Sequence, residues 1–157
     1  MMTGGGRLEV AIEHSLVQAL RRVPGFDVLD DLDLLRVVGV SVNLAWPKGS
    51  MVFEKGSPGD ALYVVLSGEV RIYDEVAGTE VEITRTGPGD FFGEISLLLD
   101  SEHTKNVQAV EDSELLVLMK EPFWALLEKR PDLAEIVQKR LEERRTETKA
   151  LYEESRS

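Results

Sequence analysis

The segment Gly89-Asp90-Phe91-Phe92-Gly93-Glu94-Ile95-Ser96-Leu97-Leu98-Leu99-Asp100 holds the residues whose types and spacing could do chemistry. A glycine followed at once by a short helical turn exposes backbone N–H groups that can cradle an anion. The Glu94 carboxylate cannot hold a phosphate, because like charges repel, but it can accept hydrogen bonds from a hydroxyl pair such as that of a ribose. The segment thus combines one sugar-directed and one anion-directed element. From spacing alone, a capped turn with a surface glutamate is the better-supported account.

No catalytic constellation accompanies it. With no cysteine, and only His14 and His103, the chain offers no thiolate nucleophile, no thiolate or histidine-rich metal site, and no histidine beside a nucleophilic serine and a supporting acid. The expectation is a binding module and not an enzyme, without metal or resident cofactor. His14 reads as a surface or helix-contact residue.

The elements around this segment must position it. From Ser41 to Met119 short runs rich in Val, Ile, Leu, Phe and Tyr alternate with glycine turns. The pattern predicts strands at 41–45, 50–54, 61–67, 69–75, 80–86, 105–110 and 113–119. Many short strands at regular intervals argue for an antiparallel sandwich or barrel. Strict alternation in Glu80-Val81-Glu82-Ile83-Thr84 turns Val81 and Ile83 inward.

Helices are predicted on both sides. The first spans 9–22, with Ile12, Leu16, Val17, Ala19 and Leu20 at helical spacing, and the second runs from Asp30 to Val38, capped at Asp30 or Asp31. After Met119, Glu121-Pro122-Phe123-Trp124 opens a short helix, and Pro131 starts another with apolar positions Leu133, Ile136, Val137 and Leu141. Residues 1–8 read as a disordered glycine-rich start, 9–142 as one domain, and 143–157 as a charged helical extension.

Length and charge bound the function. A chain of 157 residues with 43% hydrophobic residues builds one domain with a real core, which excludes a large multidomain enzyme. The formal charge is −11, and residues 128–157 are balanced, so the excess lies in residues 1–127, where a pocket must also lie. Such a body repels phosphate backbones, so nucleic acid is not an expected partner. Apolar runs fall far short of the roughly 20 residues that span a bilayer, so no membrane insertion is expected and the location reads as cytoplasmic.

The order of helices, the run Asp60-Ala61-Leu62-Tyr63-Val64-Val65-Leu66-Ser67-Gly68-Glu69-Val70, and Gly89-Asp90-Phe91-Phe92-Gly93-Glu94 followed by Ser96-Leu97-Leu98 resemble the cyclic nucleotide-binding domain family. The family includes the catabolite activator protein, the regulatory subunit of protein kinase A and cyclic nucleotide-gated channels. The resemblance covers about residues 24–140. It implies a mainly β fold, an eight-stranded jelly roll with flanking helices and a short helical phosphate-binding cassette. It also implies a ligand-binding set of Gly93, Glu94, Ile95, Ser96, His103, Thr104 and Lys105. In that set Gly93 lies against the cyclic phosphate and ribose, and Glu94 accepts from the ribose 2′-hydroxyl.

The family usually places an arginine and then a serine or threonine on the phosphate. Here those positions fall on His103 and Thr104, with Lys105 beside them as a substitute cation. Neutral His103 offers one donor where an arginine offers a charged fork. Affinity is then expected to be weak and to rise from pH 8 toward 6 as His103 protonates. The implied function is a regulatory module that binds cAMP or cGMP and relays binding through the C-terminal helix. The alternative is a fold that has lost nucleotide binding and serves in protein–protein interaction or as a structural module. A helix-turn-helix has no room before Ser157, so DNA binding within this chain is not expected, and an effector domain or partner protein would lie outside it. The stripe on the last helix, with Arg140, Arg144 and Arg145 beside Glu142, Glu143 and Glu147, suggests a homodimer seam.

Overall fold

The computed structural model describes residues 15–156. Helical residues 15–21 form α1. A 3-10 turn at Phe26–Val28 leads to α2 (Asp31–Val40). Eight strands follow: β1 (Ser41–Trp46), β2 (Met51–Phe53), β3 (Ala61–Ser67), β4 (Val70–Val76), β5 (Thr79–Thr86), β6 (Phe91–Phe92), β7 (Asn106–Ala109) and β8 (Ser113–Met119). The short helix α3 (Glu94–Leu98) lies between β6 and β7, and α4 (Lys120–Lys129) and α5 (Pro131–Arg156) end the chain. The N-terminal prediction for residues 1–8 and the placement of His14 lie outside the described residues.

The strands form two antiparallel sheets, ordered β1-β8-β3-β6 and β2-β7-β4-β5. This is the eight-stranded jelly roll with flanking helices. Strand β3 is buried at Ala61, Leu62, Tyr63, Val64 and Val65 because both of its faces are covered. Leu62 and Val64 join Leu116 and Leu118 of β8 in a core with the helices, through Leu20, Leu34, Phe123, Leu133 and Val137. Ala61, Tyr63 and Val65 point the other way, into a second core with Val70, Val107, Leu115 and Val117. A strand buried on both faces shows a continuous apolar run, whereas β5 keeps its alternation, with Val81 and Ile83 only half-buried.

Helix α2 is capped by Asp30, whose side chain accepts from the Asp33 N–H at 2.8 Å. The pattern missed β6, because two residues cut off by Gly93 at φ 91° are too short for any periodicity to register. One expectation is corrected on α5, which runs from Pro131 to Arg156. The stripe expected to pair two copies is buried within one chain at Leu133, Val137 and Leu141, which removes it as an argument for a dimer seam.

Candidate functional site

Strand β6, the Gly93 turn and α3 form a cassette held from three sides. Phe91 pairs with Val64 and Phe92 with Tyr63 along β3, and Tyr63 stacks on Phe92 with ring centroids 5.1 Å apart. Gly93 takes the left-handed φ that permits the sharp entry to α3. The loop before β3 packs so tightly on the cassette that a Cβ at Gly59 would lie 2.4 Å from the Ser96 Cβ and 2.5 Å from the Ser101 carbonyl oxygen. No larger residue fits there without shifting α3.

A cavity of about 880 Å³ opens beside the cassette, and Gly93, Glu94, Ile95, Ser96, His103, Thr104 and Lys105 all line it. Its apolar wall includes Ile72, Ile83 and Leu99, and α5 supplies Arg144, Thr148 and Lys149. The volume lies in the range of small-molecule sites.

Glu94 is 1% exposed, so it is not the surface glutamate of the plainer account. One guanidinium nitrogen of Arg144, Nη1, donates to both carboxylate oxygens at 2.7 and 2.8 Å, and Nη2 donates to the Phe91 carbonyl at 2.6 Å. One turn earlier on α5, Arg140 donates to Asp90 at 3.0 Å. Two carboxylates four residues apart on the cassette thus meet two arginines four residues apart on α5. The expectation that Arg140 and Arg144 trade ion pairs across a dimer seam is corrected: they anchor α5 to the cassette of the same chain. Burial raises the pKa of Glu94, and Arg144 works against that rise. Arg144 is the residue that sequence reasoning missed, and the matched spacing of 90/94 and 140/144 was the available signal.

His103 is 4% exposed and stacks flat on Phe53, with ring centroids 3.5 Å apart and 5° between planes. Its backbone is held by the preceding turn, donating to Ser57 and accepting from Gly56, both at 2.8 Å. Its Nε2 is the one buried side-chain polar atom without a hydrogen-bond partner among the described residues. Burial pushes the imidazole below its usual pKa of 6.5, against the weaker opposing pull of Asp60. The lowered pKa moves protonation of His103, and with it the expected rise in affinity, toward more acidic pH. Lys105 donates to the Thr104 carbonyl and hydroxyl at 3.3 and 3.4 Å. Burial lowers its pKa while Asp74 raises it. Lys55 pairs with buried Asp74 at 3.2 Å, so the cations at this end of the cavity lie beside a carboxylate.

A histidine kept neutral by burial favours the fold only while the unfolded chain is also unprotonated. Because its folded pKa lies below the unfolded one, its contribution is present above about pH 6.5 and is lost as pH falls below that value. Urea denaturation from pH 7.5 to 5 should show wild type losing stability relative to His103→Leu, which cannot titrate. A difference that does not change with pH would overturn this account. Glu94 acts with the opposite sign in both proteins, since a raised folded pKa adds stability as pH falls, so it cancels in the comparison.

An antiparallel jelly roll with a glycine-led helical cassette and a C-terminal helix packed on it frames a cavity of small-molecule size. The chain belongs to the cyclic nucleotide-binding domain family: the family described as "Cyclic nucleotide-binding domain" matches residues 44–130. It is 40% identical over 118 residues to the Cyclic AMP receptor protein of Thermus thermophilus, covering 71% of this chain and 55% of that protein. Among solved structures it resembles the regulatory domain of Toxoplasma gondii PKA with cAMP, at 30% identity and TM-score 0.69, over 73% of this chain and 44% of that one. It also resembles the sensor domain of the transcriptional regulator DNR from Pseudomonas aeruginosa, at 26% identity and TM-score 0.77, over 85% of this chain and 90% of that one. By name these relatives are a receptor protein, a regulatory domain and a sensor domain. The chain spans about half the length of the curated relatives it matches. Among the described residues, no helix is long and apolar enough to cross a membrane.

Proposed function

We propose that the chain is a regulatory, non-catalytic module whose cavity binds a cyclic nucleotide, cAMP or cGMP, and passes that event to α5. The observation that carries the reading is the buried contact of Glu94 with Arg144, which joins the sugar-directed carboxylate to the helix 50 residues further along the chain. Each carboxylate oxygen keeps acceptor capacity beyond its bond to Arg144, so a ribose diol can share the carboxylate. Thr148 and Lys149 wall the same cavity, so a ligand seated there touches cassette and helix together. Binding and the closed position of α5 are then linked, and each stabilises the other. The reading places the module in the cytoplasm and leaves its output to a partner protein or further domain.

With millimolar cAMP or cGMP the melting temperature should rise, and amide exchange along residues 142–153 should slow. A second reading, a binding fold that no longer takes a nucleotide and serves as an interaction module, is favoured by one observation. Where the resemblance puts the phosphate arginine, a neutral His103 lies flat on Phe53. No melting shift with either nucleotide would decide for that reading.

A further inference from the structure

The cavity is electrically balanced in a chain that is not. Five cationic side chains line it, and so do five carboxylates. Arg144 is bonded to Glu94, Lys55 to Asp74, and Lys105 lies under the influence of Asp74 as well. A phosphodiester entering this space would leave water for a lining whose formal charges cancel, and the body around it is strongly acidic.

Two polar side chains of the lining beside the cassette suit hydroxyl groups. Glu94 is an acceptor for a diol. His103 Nε2 is buried, unpartnered and part of the lining. A neutral imidazole carries either a proton or a lone pair at Nε2, depending on its tautomer. A hydroxyl satisfies both, because it donates and accepts. A phosphate oxygen only accepts, so it satisfies one tautomer and is repelled by the other. Ile72, Ile83 and Leu99 supply apolar surface for a flat base.

We infer that this pocket recognises its ligand as a ribonucleoside, through the sugar hydroxyls and the base, and draws no affinity from the cyclic phosphate. The inference rests on the reading of the cavity as a ribose-binding site and specifies which part of the ligand that site reads.

Isothermal titration of the full chain with adenosine, guanosine, cAMP and cGMP at pH 7.5 tests it. Each nucleoside should bind within about threefold of its cyclic nucleotide, a difference of under about 0.7 kcal/mol. His103→Arg should shift the ratio about tenfold or more toward the cyclic nucleotide, because it places a permanent charge where the wild type has none. Wild-type protein binding a cyclic nucleotide about tenfold or more tighter than the nucleoside would overturn the inference and leave the proposed function standing. No heat from any of the four would remove both. If His103→Arg fails to fold, the wild-type ratio decides alone.

Discussion

Arg144→Met should destabilise the protein by about 3–5 kcal/mol at pH 7.5, the range for removing one partner of a buried ion pair. The change leaves the Glu94 carboxylate buried at 1% exposure without its guanidinium, and the Phe91 carbonyl without its donor at 2.6 Å. Methionine keeps much of the stem that carries the guanidinium 5.6 Å above the Phe91 ring, so lost packing is a minor part of the cost. The pH dependence separates a stranded charge from a packing defect. Burial already raises the pKa of Glu94, and loss of Arg144 raises it further, so protonation relieves the variant as the solution becomes more acidic. Urea denaturation of wild type and variant should therefore show a gap that narrows from pH 7.5 to 5.5. A gap below about 1 kcal/mol, or one that does not change with pH, would mean that the pair contributes little.

Glu94→Ala should weaken both ligand binding and the fold. Read as a surface carboxylate, Glu94 could be removed with little loss of stability, but its burial against Arg144 changes that expectation. Alanine strands a guanidinium that is 9% exposed, at a cost of about 3 kcal/mol in stability. Loss of the acceptor for the ribose diol should cost a further ~1.5–3 kcal/mol in binding, about ten- to a few hundredfold. Glu94→Gln separates the effects, since it keeps the volume and one acceptor oxygen but removes the charge that faces Arg144. Calorimetry with cAMP alongside thermal melts of wild type and both variants checks this. Equal affinity in all three proteins would remove Glu94 from the ligand site, whatever the melts show.

Most of the architecture is legible in the residue pattern for a simple reason. Strand and helix positions follow from side-chain periodicity, and periodicity is local. The strands at 61–67 and 113–119 match β3 and β8 at both ends, and Pro131 starts α5 as its fixed φ requires. The failures occur where local signals run out: β6 is too short to show a period, and the charged residues after Glu142 look like any solvated helical face.

The amino-acid sequence by itself determined the antiparallel β framework, the glycine-led cassette and the absence of cysteine chemistry, because these depend on residue types and spacings of a few positions. Only the tertiary structure decided the state of the site. Arg144 lies 50 residues from Glu94, and a charged side chain on a polar helix reads as exposed until the barrel curves the cassette beneath that helix. His103 reads as a titrating substitute for an arginine until the turn at Gly56 and Ser57 presses it flat on Phe53. In both cases desolvation sets the chemistry, and desolvation depends on neighbours brought close by folding and not by order along the chain.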